Sequence, residues 1–249
     1  IVSLAKMLGY TPNSCRASNA ILSVKVNSVP SSTTSLTMDK GTVFTTSVNG
    51  QSYQFVTNQS YSIQPNAGVF QFSNVNVYEG TLVTFKYTVD TNDVDQKFIV
   101  PAVNADTSTL KVSIQTSASD TTTEVYSLAT SYSELSSTSK VYFLQENEEG
   151  KFEVYFGDGI LGKKPIDGNI VILEYVVTNK AEANGASSYT LSGDIDGFSD
   201  VTITTTSNAA NGAEAQTKES IRYNAPLQYA AQDRAVTSKD YETIVKSVY

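Results

Sequence analysis

The chain has 249 residues, with 25 Asp and Glu against 17 Lys and Arg, one Cys and no His. A net charge of −8 with few basic clusters argues against nucleic-acid binding as the main task. The lack of histidine removes Ser-His-Asp and Cys-His catalysis, nearly all zinc sites and the usual general base near neutral pH.

Residues 1 to 8 place Ile1, Leu4, Ala5 and Leu8 on one helical face, with Gly9 and Pro12 as stop signals. This predicts a helical lead-in over residues 1–19. Cys15 has no internal disulfide partner and is read as a small buried side chain. From Ala20 to Val26 the residues alternate, and Val43–Thr46, Gln51–Thr57, Gly68–Val77 and Thr81–Val89 do likewise. Asn49-Gly50 is a strong hairpin signal and Glu79-Gly80 a weaker turn signal. Further short strands are expected over Phe98–Val103, Leu110–Gln115, Val125–Leu128 and Val141–Gln145, with a polar loop at Ser117–Thr123. This spacing predicts a mainly β fold, an antiparallel β-sandwich or barrel-like domain, over residues 20–207. The same spacing accommodates two subdomains, about 20–140 and 141–207. No apolar run approaches the length of a membrane span, and no signal peptide is visible.

Residues 152–177 are the most informative stretch. Phe152–Phe156 alternates, with Phe152, Val154 and Phe156 on one face, and predicts a half-buried strand. Ile170–Val177 is almost continuously apolar, as a strand covered on both faces would be. Gly157, Asp158, Gly159, Gly162, Pro165 and Gly168 lie between them. Gly157 and Gly159 are suited to positive φ, and Pro165 bars a regular strand or helix interior. The pair reads as a wide β-hairpin with a structured loop. Val201–Thr205 is expected to be a last strand and Asn208–Gly212 a linker. A helix is expected from Ala213 to Tyr223, ending before Pro226. Thr237 and Asp240 form a capping box that opens a helix with Tyr241 on its apolar stripe. The segment 208–249 thus reads as helical and as leading into a further domain. The initial Ile1 and the unterminated final helix lead to the expectation that the sequence is part of a longer polypeptide.

The block Val154–Pro165, followed by Asp167-Gly-Asn-Ile-Val and Glu174-Tyr, resembles the central signature of the phage baseplate J-like family, in particular the wedge subunits of T-even-type contractile tails. The later stretches Glu219–Pro226 and Gln232–Val245 are similar to the same family in order and spacing. The resemblance implies a structural virion protein rather than an enzyme, part of a ring of wedges around a central hub. It implies other wedge subunits and further copies of the chain as partners, and no cofactor, nucleic acid, membrane insertion or small-molecule substrate. Its place would be the tail baseplate, assembled in the bacterial cytoplasm. Arg222 and Arg234 fall in the family-like C-terminal block. Arginine favours buried or interfacial ion pairs, so Arg222, Arg234, Thr237, Asp240 and Tyr241 are candidate interface residues.

Gly157–Lys164 nearly spells a phosphate-binding loop, but Lys164 stands where a metal-binding Ser or Thr is needed, and a strand rather than a helix follows. Asp194, Asp196 and Asp200 have incorrect spacing for an EF-hand. A glycan-binding module of tail-fibre or adhesin type is the rival function, and a wall-degrading hydrolase is a third.

Overall fold

The computed structural model describes residues 10–129, 135–147 and 149–231. The expected N-terminal helix over residues 1–8 lies outside these residues, as do Arg234, Thr237, Asp240 and Tyr241. The first strands are β1 (Asn19–Val26), β2 (Leu36–Met38), β3 (Val43–Val48), β4 (Gln51–Val56), β5 (Tyr61–Ile63) and β6 (Phe70–Glu79). Then come β7 (Thr81–Thr88), β8 (Phe98–Ile99), β9 (Ala105–Gln115), β10 (Thr123–Leu128), β11 (Val141–Glu146), β12 (Phe152–Phe156) and β13 (Ile170–Val177). The chain continues through β14 (Thr190–Ser192) and β15 (Val201–Ala210) into one described helix, α1 (Lys218–Ala231).

These strands build a six-stranded sheet in the order β14-β3-β4-β6-β1-β15 and a seven-stranded sheet in the order β7-β13-β9-β10-β11-β12-β8. A small pair, β2-β5, completes the set, and the large sheets are nearly closed and barrel-like. The mainly β, sandwich-or-barrel class expected from the sequence is the class observed. One pairing departs from the antiparallel rule: β10 and β11 run parallel, with Ser127 opposite Val141.

Alternation explains the first core. Ala20, Leu22, Val24 and Val26 of β1 are buried, while Ile21, Ser23 and Lys25 between them are not. They meet Met38, Phe44, Phe55 and Phe72. Each such side chain contributes roughly 1.5–3 kcal/mol on burial. The first core draws on residues 20–77 and 183–209, and the second on residues 89–175. The second runs through Tyr126 and Tyr142 without a break at residue 140.

The Asn49-Gly50 turn forms as expected. Val48 pairs with Gln51, and φ is 51° at Asn49 and 82° at Gly50, the left-handed pair that a tight type I′ hairpin requires. Glu79-Gly80 behaves differently. It joins β6 in the first sheet to β7 in the second, so it is a switch between sheets and not a hairpin turn.

The wide hairpin expected between β12 and β13 is absent. β12 pairs with β11 and β8, and β13 with β7 and β9. A strand apolar on both faces needs cover on both. Leu173 and Tyr175 of β13 point into the second core, while Val176 packs with Ala17 and Val56 beside the first sheet. The expected strand Phe98–Val103 shrinks to Phe98–Ile99, because Pro101 has no N–H to donate to a ladder. Asn208–Ala210 belongs to β15 rather than to a linker, anchored by the pairing of Asn19 with Ala210 and by buried Ala209.

The helix also departs from expectation. It starts at Lys218, where the Thr217 hydroxyl accepts from the Ser220 N–H at 3.2 Å. It runs through Pro226 instead of stopping before it. Proline removes one helical hydrogen bond; Ile221 and Ala225, both ahead of Pro226, are buried together with Tyr10 and anchor the first part of the helix.

Two features at the junction of the sheets are directly testable. A Cβ at Gly80, where φ is 120°, would lie 2.1 Å from the Val177 carbonyl oxygen. Gly80→Ala is therefore expected to cost about 3 kcal/mol or more, read as a fall in the urea midpoint, whereas Gly50→Ala meets no atom within 4 Å and faces only its φ. Cys15 is buried, and desolvation, reinforced by the nearby Asp106 carboxylate, raises its thiol to about 11. It should react with a thiol reagent at pH 8 only once denaturant is added.

Candidate functional site

The connection from β12 to β13 folds at one end of the seven-stranded sheet. Asp158 organises its tip. The Oδ1 of this side chain accepts from the N–H groups of Ile160, at 2.8 Å, and Leu161, at 3.0 Å. These two backbone donors hold the Asp158 carboxyl below its usual range. The Gly159 N–H reaches back to the Gly162 carbonyl at 3.1 Å. Gly159, Gly162 and Gly168 have φ of 92°, 99° and 79°, so the backbone there is left-handed.

Gly157 is needed for a different reason than expected. Its φ is not positive, but an added Cβ would lie 2.3 Å from the Leu161 carbonyl oxygen and 2.4 Å from that of Gly162. Glycine here provides space. The turn is also tied to its surroundings. The Gly162 N–H donates to the Ser136 carbonyl at 2.9 Å, and Lys163 N–H to that of Ser139 at 2.8 Å. Lys163 and Lys140 flank Glu124 on β10, with Nζ–O distances of 2.5 and 3.2 Å. Hydrogen bonds from Lys163 and then Lys140 hold the Glu124 carboxyl below its ordinary 4.5.

Pro165 leads toward the loop after β7. There the Val89 N–H donates to the Asn169 carbonyl, the Gly168 N–H to that of Val89, and the Thr91 N–H to the Asp167 carboxylate at 3.0 Å. The two loops enclose a cleft of about 460 Å³, lined by Asp90, Asp93, Val94, Phe98, Asp158, Lys164 and Pro165. Beneath it, Glu153 of β12 is 3% exposed, so β12 is not the half-buried strand expected. Glu153 accepts from the Tyr155 hydroxyl and from Asn147 at 3.3 Å, and Lys97 stands 3.7 Å away. Burial first, then the Glu153 carboxylate, raise Tyr155 to about 12. The tip remains apolar and wet: Ile160 is 74% exposed and Ile166 66%.

The other sequence candidates fall elsewhere. The Asp194–Asp200 segment is a turn whose acids serve separate partners. Asp194 accepts from Gly197 N–H, Asp196 from Thr37 N–H, and Asp200 from the Asn27 side chain. Arg222 is exposed on α1 and makes no ion pair with a described residue. No cluster of three or more His, Cys, Asp or Glu suited to a metal ion occurs among the described residues. No helix among them is long and apolar enough to cross a membrane.

Sequence reasoning missed two buried carboxylates at the junction between the sheets. Glu79 accepts from the Thr178 hydroxyl at 2.6 Å, Asn179 N–H at 2.9 Å and Asn179 Nδ2 at 2.8 Å. Asp106 accepts from Ala17 N–H at 2.8 Å, and from the N–H and hydroxyl of Ser108. A signal for Glu79 was present, since it continues the inward alternation of Val75 and Val77.

The fold and this loop define a β scaffold bearing a braced, apolar-tipped turn beside an acidic cleft. The chain is similar to the baseplate wedge protein gp6 of Enterobacteria phage T4, with 30% identity over 131 residues. The match covers 44% of this chain and 20% of the relative, so the relationship is distant and the chain spans about a fifth of the protein it matches. No family model matches the chain.

Two predictions follow from the loop. Gly157→Ala should lower the melting temperature by more than Gly168→Ala, because the first forces backbone atoms apart and the second meets open space and strain of about 1–2 kcal/mol. The Glu124 group is a depressed carboxylate, so its contribution is present above the ordinary 4.5 and lost as pH falls below it toward the lowered folded value. With the Glu124 side chain 34% exposed and both lysines more so, solvent screening keeps its worth under about 1 kcal/mol. The stability gap between the native chain and Glu124→Gln should be visible in urea melts near pH 6 and close as pH falls below 4.5.

Proposed function

We propose that this chain is a structural part of a contractile phage tail baseplate, of the wedge type. The observation that carries the reading is the similarity to the T4 baseplate wedge protein gp6. The physical character of the chain supports it. Its buried carboxylates at the junction bond to backbone and amide donors, and its sheets form a stiff body. On this reading the protein joins neighbouring wedges into a ring around the hub and permits their rearrangement on contraction. Its partners are other wedge proteins and further copies of itself, and it resides in the virion tail.

The signature residues Gly157, Asp158, Gly159, Gly162, Pro165 and Gly168 shape a contact loop. Arg222, with Arg234, Thr237, Asp240 and Tyr241 further along, belongs to a C-terminal contact segment. The exposure of Arg222 suits an ion pair made to another chain. Domain limits on this reading are a lead-in up to residue 18, a β-rich body over 19–210 and a C-terminal segment from 211 that contains α1.

Immunogold labelling of purified tails, with antibody raised against this chain, should mark the baseplate end. Label along the tail fibres or absent from the virion would overturn the reading. Light scattering across a dilution series then tests self-association: Arg222→Ala should weaken any dimer while changing the unfolding free energy in urea melts by no more than about 0.5 kcal/mol.

A further inference from the structure

We propose that the cleft between the 89–97 and 157–169 loops is a docking groove for a short arginine- or lysine-bearing segment of another protein in the assembly. The inference rests on the baseplate reading only for the origin of that partner.

Charge selects the partner. Asp90, Asp93 and Asp158 line the cleft, against one lysine, Lys164. In each aspartate, Oδ1 is engaged in its own turn: by Asn92 at Asp90, by the Asp95 N–H at Asp93, and by Ile160 and Leu161 at Asp158. The second oxygen of each makes no hydrogen bond or ion pair with a described residue. Three carboxylates, each with one oxygen unbonded to any described residue, therefore line one concavity, and a guanidinium or ammonium group satisfies them.

Apolar exposure points the same way. Val94 lines the cleft and is 92% exposed, the most exposed of the large apolar side chains described. Ile160 and Ile166, on the opposite loop, are also out in water. No described residue buries them. The turns that present them are closed by their own hydrogen bonds and by Thr91–Asp167 across the loops, so the backbone that carries these side chains is set before any partner arrives. Preformed apolar anchors beside unpaired charge are the composition of a protein-binding patch.

The test uses a fluorescent ten-residue peptide alternating Arg and Val, with a Glu-Val peptide of the same length as control. Asp90→Asn/Asp93→Asn retains both Oδ1 acceptors and hence the turns. The Arg-Val peptide should bind the native chain, move the amide NMR signals of Val94 and Asp158, and weaken as salt rises. Affinity should fall at least about tenfold in the double variant. Equal binding to the double variant, equal binding of the Glu-Val peptide, or NMR shifts confined to other surfaces would overturn the groove. The two readings fail separately. Loss of peptide binding in a chain that still reaches the baseplate removes the groove alone, and intact binding in a chain absent from tails removes the baseplate reading alone.

Discussion

Glu79 lies where the chain leaves the first sheet for the second, and it bonds to the point where the chain comes back. Its carboxylate is 1% exposed and takes hydrogen bonds from Thr178 and Asn179, roughly a hundred residues later in sequence. A buried carboxylate is costly unless its oxygens are satisfied, so departure and return must stay together. Gly80 tightens the same knot, since its Cα lies against the Val177 backbone. Asp106 adds a second tie, from β9 to the segment that leads into β1. The relation of the two sheets depends on these polar contacts at least as much as on the small apolar cluster of Ala17, Val56 and Val176 beside them.

With the junction fixed, the seven-stranded sheet presents its far loops as a stable surface. The loop after β12 is closed by Asp158, packed too tightly at Gly157 for any side chain, and bonded to residues 136–139. Its apolar tip is thus a consequence of backbone constraint rather than of hydrophobic burial. That combination suits a part whose task is contact. It also explains why a sequence block can look like a phosphate loop without serving as one: the glycines shape a turn that runs into β13, with no helix N-terminus to receive an anion.

Local features were legible in the sequence, and partnerships were not. The alternation of Ala20–Val26, the Asn49-Gly50 turn and the two-sided apolar run Ile170–Val177 each depend on a few adjacent residues, and each forms as read. The pairing of β12 and β13 failed because adjacency in sequence does not fix which strand lies alongside. The demand of β13 for cover on both faces decided it, and the pattern of its side chains had already stated that demand. Pro226 misled because a proline removes one hydrogen bond without having to end a helix that is already anchored ahead of it, where Ile221 and Ala225 pack against Tyr10. The acidic cleft could not be read at all. Asp90, Asp93 and Asp158 converge only after β7 and β12 take their places in the sheet.

The excursion between residues 79 and 178 also governs the order in which the molecule can form. β1 lies between β6 and β15, and Asn19 pairs with Ala210. During synthesis one edge of β1 therefore stays open until β15 has emerged, long after β6 has closed the other. Joining them directly would demand a long loop closure, which is entropically unfavourable and slow. If the second sheet folds first, its two ends are already brought together at Glu79 and Asn179. For the first sheet, the intervening chain then counts as a very short tether.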